Sequence, residues 1–296
     1  MAIPVSKAYR TFSVFNYLFL AALAISCVYP LLHVLALSFS DASTLTVRDV
    51  GIIPQGLTME PYKQLIVGPI FLRALTISVL RVLIGTVVNM VLTALTAYPL
   101  AQEASELKGR GVYMWFLVFP LLFSGGLIPT YLWVRQLGLL GSFWVLILPG
   151  AVPVFNVIMM MNFFRGLPRA IYEAALVDGA SHPRILTSIY IPLSKASIAT
   201  LSLFCIVGHW NAWFDALMFI IEPTKLPLQT VMQNLIAQAR DLLRVVQQGN
   251  AAALRKISKK NVSAAAMIVS IVPILFAYPF LQRHFISGVV IGSIKE

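Results

Sequence analysis

The sequence predicts an all-α membrane protein of six spanning helices, with both termini on the inner side of the bilayer. Three observations carry that expectation. The chain has 296 residues, of which 59% are hydrophobic and 11% charged, where an ordinary soluble domain carries about 25% charged residues. Its mean hydropathy is +0.85. No soluble interior of this size hides so much apolar surface, which excludes a soluble enzyme, a disordered regulator and a secreted disulfide scaffold. Next, six stretches are free of charge: 11–40, 82–102, 111–134, 136–164, 196–214 and 261–282. Each can supply the roughly 20 apolar residues that cross a hydrocarbon core. Lastly, Lys7, Arg10, Lys108, Arg110, Arg165, Arg169, Arg184, Lys195, Arg283 and Lys295 fall on the side that holds the N-terminus, whereas the short loops opposite hold only Arg48, Lys63 and Arg135. Basic short loops mark the inner side. The long outer loop 221–262 adds seven basic residues and would erase the bias, but long loops are weaker topology signals.

The first stretch follows Lys7 and Arg10 and superficially matches a signal peptide. Its apolar run is too long and lacks a clear small-x-small site, so it is expected as an uncleaved helix. The second begins near Phe71 and carries Arg73 and Arg81 in its outer half. In the third, Gly125-Gly126 followed by Pro129 predicts a broken or re-entrant end, a break tolerated where neighbours satisfy the freed backbone. The organisation expected is residues 1–70 as tail, first helix and outer loop, then 71–296 as the main helical body. Cys27 and Cys205 sit in apolar runs and read as small hydrophobes.

Residues 168–195 read PRAIYEAALVDGASHPRILTSIYIPLSK. Ala170 to Asp178 favours helix and Gly179 is a left-handed stop. Ser181 to Pro183 restarts a helix with proline in its first turn, and Pro192 ends it. Two short helices joined by a glycine elbow are expected on the cytoplasmic face. By residues alone, an ordinary amphipathic connector fits equally well.

The pattern Glu173-Ala174-Ala175, Gly179, Ile189 and Ile191-Pro192 resembles the EAA loop of ABC-importer permeases, with Asp178 and Ala180 matching its sugar-importer form. Residues 123–150, 162–175, 207–217 and the tail 288–296 are similar to the oligosaccharide and polysaccharide branch of that family. The resemblance implies six transmembrane helices, N-in and C-in. It also implies that Glu173, Ala174, Ala175, Asp178, Gly179 and Ala180 form a coupling helix docked on an ATPase. The partners implied are two cytoplasmic ATPase subunits, a second permease (expected as a heterodimer) and an extracytoplasmic solute-binding protein. The setting implied is a bacterial inner membrane crossed several times. The chain has no G-x-x-x-x-G-K-[ST] phosphate cradle, so ATP and magnesium belong to the ATPases, and no cofactor is expected here. The four histidines are scattered, and no metal site or catalytic residue set is expected. Nucleic acid is not an expected partner, because the formal charge of +11 is equally suited to lipid or an acidic ligand.

Ionisable groups inside spans are functional candidates by default. Arg81 is a candidate basic lining for a polar substrate. His209, Trp210, Asn211, Trp213 and Asp215 crowd the fifth span. Sugars are bound by aromatic faces together with planar hydrogen-bonding groups. A continuous helix would put Asn211 and Asp215 on one face, and His209 and Trp213 on another, lining a translocation pathway. Helix packing and an interfacial aromatic belt are the plainer alternatives. Asn89, Asn156 and Asn162 read as interhelical hydrogen-bonding residues.

Residues 228–246 carry apolar groups at helical spacing and predict an amphipathic helix. With Arg240, Arg244, Arg255, Lys256, Lys259 and Lys260 nearby, this loop is a candidate contact for the solute-binding protein. The resulting expectation is a non-catalytic permease for oligosaccharides. An acidic, alginate-like fragment leads, and neutral oligosaccharides are comparably supported. The rival is a subunit of a secondary sugar transporter, which would carry proton- or sodium-coupling groups at mid-membrane.

Overall fold

The computed structural model describes residues 7–41, 51–67, 69–247 and 261–275. Arg48, the lysines and arginines from 255 to 260, and the tail 288–296 lie outside the described residues, as do the side chains of Arg240 and Arg244. The described residues form helices joined by short turns, without a strand among them; one isolated bridge pairs Ser40 with Leu57.

The chain divides into two compact units: Met1–Pro69 with Asn234–Val272, and Ile70–Gln233 with Pro273–Glu296. Residues 234–247 and 261–272 thus group with the N-terminal segment.

In the first unit, α1 (Lys7–Ser38) is a single apolar helix of 32 residues, long enough to span a bilayer, and its side chains are exposed over most of its length. It ends at a hydrogen-bonded knot around Ser40. The Ser40 hydroxyl donates to the Ala36 carbonyl and accepts from the Gln55 amide, and its carbonyl accepts from Asn261 Nδ2 at 2.6 Å. A short α2 (Glu60–Val67) adds Tyr62, whose hydroxyl meets Ser38 Oγ at 2.8 Å.

The second unit is built on α3 (Pro69–Ala101), 33 residues whose Pro99 lies in the final turn, where a proline disturbs least of the ladder. The third stretch forms two helices, α4 (Arg110–Leu122) and α5 (Leu127–Gln136), bent by 119°. The bend sits at Gly125-Gly126, as expected. Gly126 has φ +85°, a conformation glycine adopts without penalty. The fourth stretch is also broken: 3-10 turns over 143–150 precede α6 (Val154–Arg165) at 49°. There follow α7 (Arg169–Val177), α8 (His182–Leu193), α9 (Lys195–Asn211), α10 (Phe214–Phe219) and α11 (Leu228–Gln247). The sixth stretch forms α12, Asn261–Leu275 within the described residues, which through Val272 belongs to the first unit. In α11, Leu228 and Met232 are buried one turn apart, as its amphipathic pattern predicts.

Two cores close the second unit. At one end, Ala97 and Tyr98 of α3, Met160 and Phe164 of α6, Tyr172 and Ala175 of α7, and Ile185 and Tyr190 of α8 pack together. Tyr190 meets Tyr98 and Phe164 edge-on, with ring centroids 5.1 and 5.2 Å apart, a favoured aromatic geometry. The other core joins Val134, Val145, Leu146, Ala216, Phe219 and Ile220.

Candidate functional site

Two regions of the second unit concentrate the polar chemistry. The first is the 168–195 loop. Helix α7 ends in a Schellman motif: the Ala180 amide donates to the Ala175 carbonyl at 2.9 Å and the Gly179 amide to Leu176 at 3.0 Å. Gly179 has φ +74°, which is why glycine stands there. The loop is anchored on one side and free on the other. Tyr172 and Ala175 are buried, whereas Glu173, Ala174, Val177, Asp178 and Gly179 are exposed, Val177 at 88%. Ala180 is half-buried. Of the candidate coupling residues, Ala175 therefore belongs to the anchor. Helix α8 is not a regular second helix. It passes through a π-helical stretch, Leu186–Tyr190, and continues one residue beyond Pro192.

Arg169 holds this loop to the turn after α3. It pairs with Glu103, with Glu106 at 3.9 Å and with Glu173 at 2.8 Å. Tyr172 donates to Glu106 at 2.5 Å. Burial, then that hydrogen bond, pushes the Tyr172 phenol above its ordinary range. Arg110 and Arg165 both donate to the Leu100 carbonyl, at 2.9 and 3.1 Å, covering the unpaired end of α3. Beside them lie an open cavity of about 320 Å³ and an apolar groove of about 720 Å³, the latter walled by Leu95, Leu107, Leu176 and Leu186. Sequence reasoning missed Glu103, Glu106, Arg169 and Tyr172. The signal available was Arg169 four residues before Glu173, a helical pair spacing.

The second region is a polar stripe on α3. Ser78, Arg81, Gly85 and Asn89 stand at i, i+3, i+7 and i+11, hence on one face. Ser78, Arg81 and Asn89 each meet a place where another segment leaves or enters regular helix, and Gly85 meets a side chain of α9. Ser78 Oγ accepts from the Leu228 amide at 2.8 Å. Arg81 donates to the Ala212 carbonyl at 3.2 Å and pairs with Asp215 through both guanidinium nitrogens. Asn89 donates to the Gly150 and Ala151 carbonyls at 2.8 and 3.0 Å and bonds His209 Nε2 at 2.5 Å. At Gly85 a Cβ would fall 2.5 Å from His209 Nε2, so only glycine lets the ring sit there.

The structure pairs Arg81 with Asp215 and sets His209 on the same stripe of α3, but the helix that was to carry them differs from expectation. The fifth stretch is not one helix. α9 stops at Asn211 and α10 begins at Phe214, with Ala212 extended. The expected sharing of faces by Asn211 with Asp215, and by His209 with Trp213, is lost at that break. Asn211 and Trp213 are exposed instead. Arg81 is 3% exposed and its charge is met by Asp215, so it is no open basic lining. Arg73 is exposed, away from this stripe. Asn89 and Asn156 do link segments, Asn156 reaching Cys205 Sγ at 3.2 Å; Asn162 is exposed. Ser78 and Gly85 were legible only as small residues in step with Arg81 and Asn89.

The family described as binding-protein-dependent transport system inner membrane component matches residues 8–291. The chain is 40% identical to protein LplC of Bacillus subtilis strain 168, over 98% of this chain and 97% of that one. It is 36% identical to the polygalacturonan/rhamnogalacturonan transport system permease protein YtcP of the same organism, over 97% and 99%. Among solved structures, a chain of a bacterial ABC transporter involved in import of the acidic polysaccharide alginate superimposes with a TM-score of 0.85. It is 28% identical, covering 96% of this chain and 100% of that one.

Proposed function

The chain belongs to the inner membrane components of binding-protein-dependent transport systems, and from that membership we propose its assembly and cargo. It is a permease of a sugar ABC importer. It crosses the inner membrane six times, N-in and C-in, and pairs with a second permease. Two cytoplasmic ATPases hydrolyse ATP with magnesium, and an extracytoplasmic binding protein delivers oligosaccharide. The chain itself does no covalent chemistry.

The observation that carries this reading is the two-sided 168–195 loop. Tyr172 and Ala175 root α7 in the helical core while Ala174, Val177 and Asp178 face outward. A short helix fixed at its base and bare at its tip transmits motion from a groove on a partner. Glu173 lies on the same exposed surface, where Arg169 of the same helix pairs with it.

For cargo, an acidic oligosaccharide is the better supported class. The support is the likeness to the polygalacturonan/rhamnogalacturonan permease YtcP and to a chain of the alginate importer, together with the formal charge of +11. It is not Arg81, whose charge Asp215 balances.

The test is co-purification of the tagged chain with the products of its neighbouring genes, followed by uptake assays with oligogalacturonate and with malto-oligosaccharide. Wild type is expected to recover an ATPase, Val177→Glu and Gly179→Pro to lose it, and oligogalacturonate to be taken up in preference. An intact chain that recovers no ATPase overturns the coupling reading. Uptake confined to the neutral sugar overturns the acidic one.

A further inference from the structure

We propose that Arg81 and Asp215 are positioning residues of the translocation path, a charged latch that holds the broken fifth span on α3, and that Asn211 and Trp213, projecting from the break, are the groups left free to meet sugar. This rests on the importer reading above.

The latch closes across the break itself. Arg81 Nη1 donates to the Ala212 carbonyl at the end of α9 and to Asp215 Oδ1 at the start of α10, both at 3.2 Å. Asp215 Oδ1 also accepts from the Ala216 amide at 2.9 Å, satisfying one of the free amides of a helix start. One guanidinium therefore ties together the two ends that the break separates. One turn along, His209 rests on Gly85 and bonds Asn89, which prevents α9 from sliding on α3.

Arg81 is poorly placed to bind cargo. It is 3% exposed; both terminal nitrogens are engaged, and its Nε is buried without a partner among the described residues. A sugar carboxylate would have to expel Asp215 to reach it. Asn211 and Trp213 have the opposite character. Both are exposed on either side of the extended Ala212, and together they offer an amide and an aromatic face. The midpoint of α3 is residue 85, halfway between 69 and 101, so the latch lies near mid-span.

The experiment uses the complete importer in cells, with saccharide uptake measured against concentration. Arg81→Asp and Asp215→Arg are each expected to lower the maximal rate about tenfold or more for every transported saccharide, since each leaves a buried charge unpaired. The half-saturating concentration should stay unchanged, and the double exchange should restore most of the rate. Asn211→Ala and Trp213→Ala should instead raise the half-saturating concentration and spare the rate. If the single reversals fail to assemble, Asp215→Asn carries the test, because it keeps the shape of the latch and removes its charge. A lowered rate at unchanged half-saturation then supports the latch, and an unchanged rate overturns it. The latch is also overturned if Arg81 variants raise the half-saturating concentration for uronates alone and the exchange rescues nothing. Absence of saccharide uptake by the wild-type importer would sink the importer reading instead, so the two failures are distinguishable.

Discussion

Arg81 and Arg169 use the same side-chain chemistry in opposite settings. Arg81 meets one carboxylate at 3% exposure, with the backbone break at Ala212 closed on it. Arg169 meets three carboxylates but is 49% exposed, and Glu103 and Glu173 are about 60% exposed. Counting ion pairs would rank the second cluster higher. Burial reverses the order, because water screens exposed pairs almost completely, whereas a buried charge stripped of its partner has nothing to replace it. The difference teaches where each region can move. The mid-span stripe is built to keep one arrangement, and the loop cluster can exchange partners at little cost.

The largest expected effect tests that ranking directly. Arg81→Ala leaves Asp215, 29% exposed, without its partner and the Ala212 carbonyl without its donor, a loss of about 2–3 kcal/mol. Thermal unfolding in detergent should show it as a large drop in midpoint. A drop no larger than that of Arg169→Ala would erase the contrast.

The two functional glycines sharpen it further, because they are needed for different reasons. Gly85→Ala drives a methyl into the His209 ring, whose nearest atoms lie 2.5–2.8 Å away. The ring is held by Asn89 and cannot swing clear, so overpacking of about 1–3 kcal/mol is expected. Adding His209→Ala should recover part of that loss, measured as non-additive melting shifts. Gly179→Ala meets nothing within 4 Å. Its penalty is conformational only, about 1–2 kcal/mol for a left-handed alanine, and should appear as weaker ATPase recovery with the helical core intact.

Smaller still is Tyr172→Phe, which removes a donor to a carboxylate that keeps partial access to water, for about 1 kcal/mol. Its pH signature has a definite sign. Folding raises the phenol above its ordinary value of 10.0, so the protonated form is favoured in the folded chain. That contribution is present below about pH 10 and is lost as pH rises towards the folded value. Wild type should soften in this alkaline range more than Tyr172→Phe does, as read by melting temperature against pH.

The sequence made some of this legible and hid the rest for a physical reason. The Gly125-Gly126 break, the Gly179 elbow and the Leu228–Met232 face were readable, because each follows from local conformation or local period. The break at Ala212 was not. Nothing in HWNAWFD is a strong helix breaker, and the extended Ala212 is stabilised by Arg81, 131 residues away in sequence. The pairing of Arg81 with Asp215 was hidden for the same reason: both residues stood out, but their contact depends on how two helices pack. The clasp of Arg169 to Glu103 and Glu106 likewise needs the turn after α3 to lie beside α7.

Arg169→Ala is the smallest effect expected and the one that separates attachment from stability. Its three pairs are exposed enough that their combined contribution is about 0–1 kcal/mol and is screened by salt. The turn after α3 keeps a second tie, since Tyr172 still donates to Glu106. Melting temperature should therefore fall by little, and less at 0.5 M salt than at low salt. What Arg169→Ala does change is the freedom of Glu173, which loses its neighbour at 2.8 Å. If Glu173 serves a basic group on the ATPase, removing its internal competitor should strengthen ATPase recovery at low salt. A large melting shift together with weakened recovery would mean that this exposed clasp is as rigid as the buried latch, and that burial does not divide the two regions.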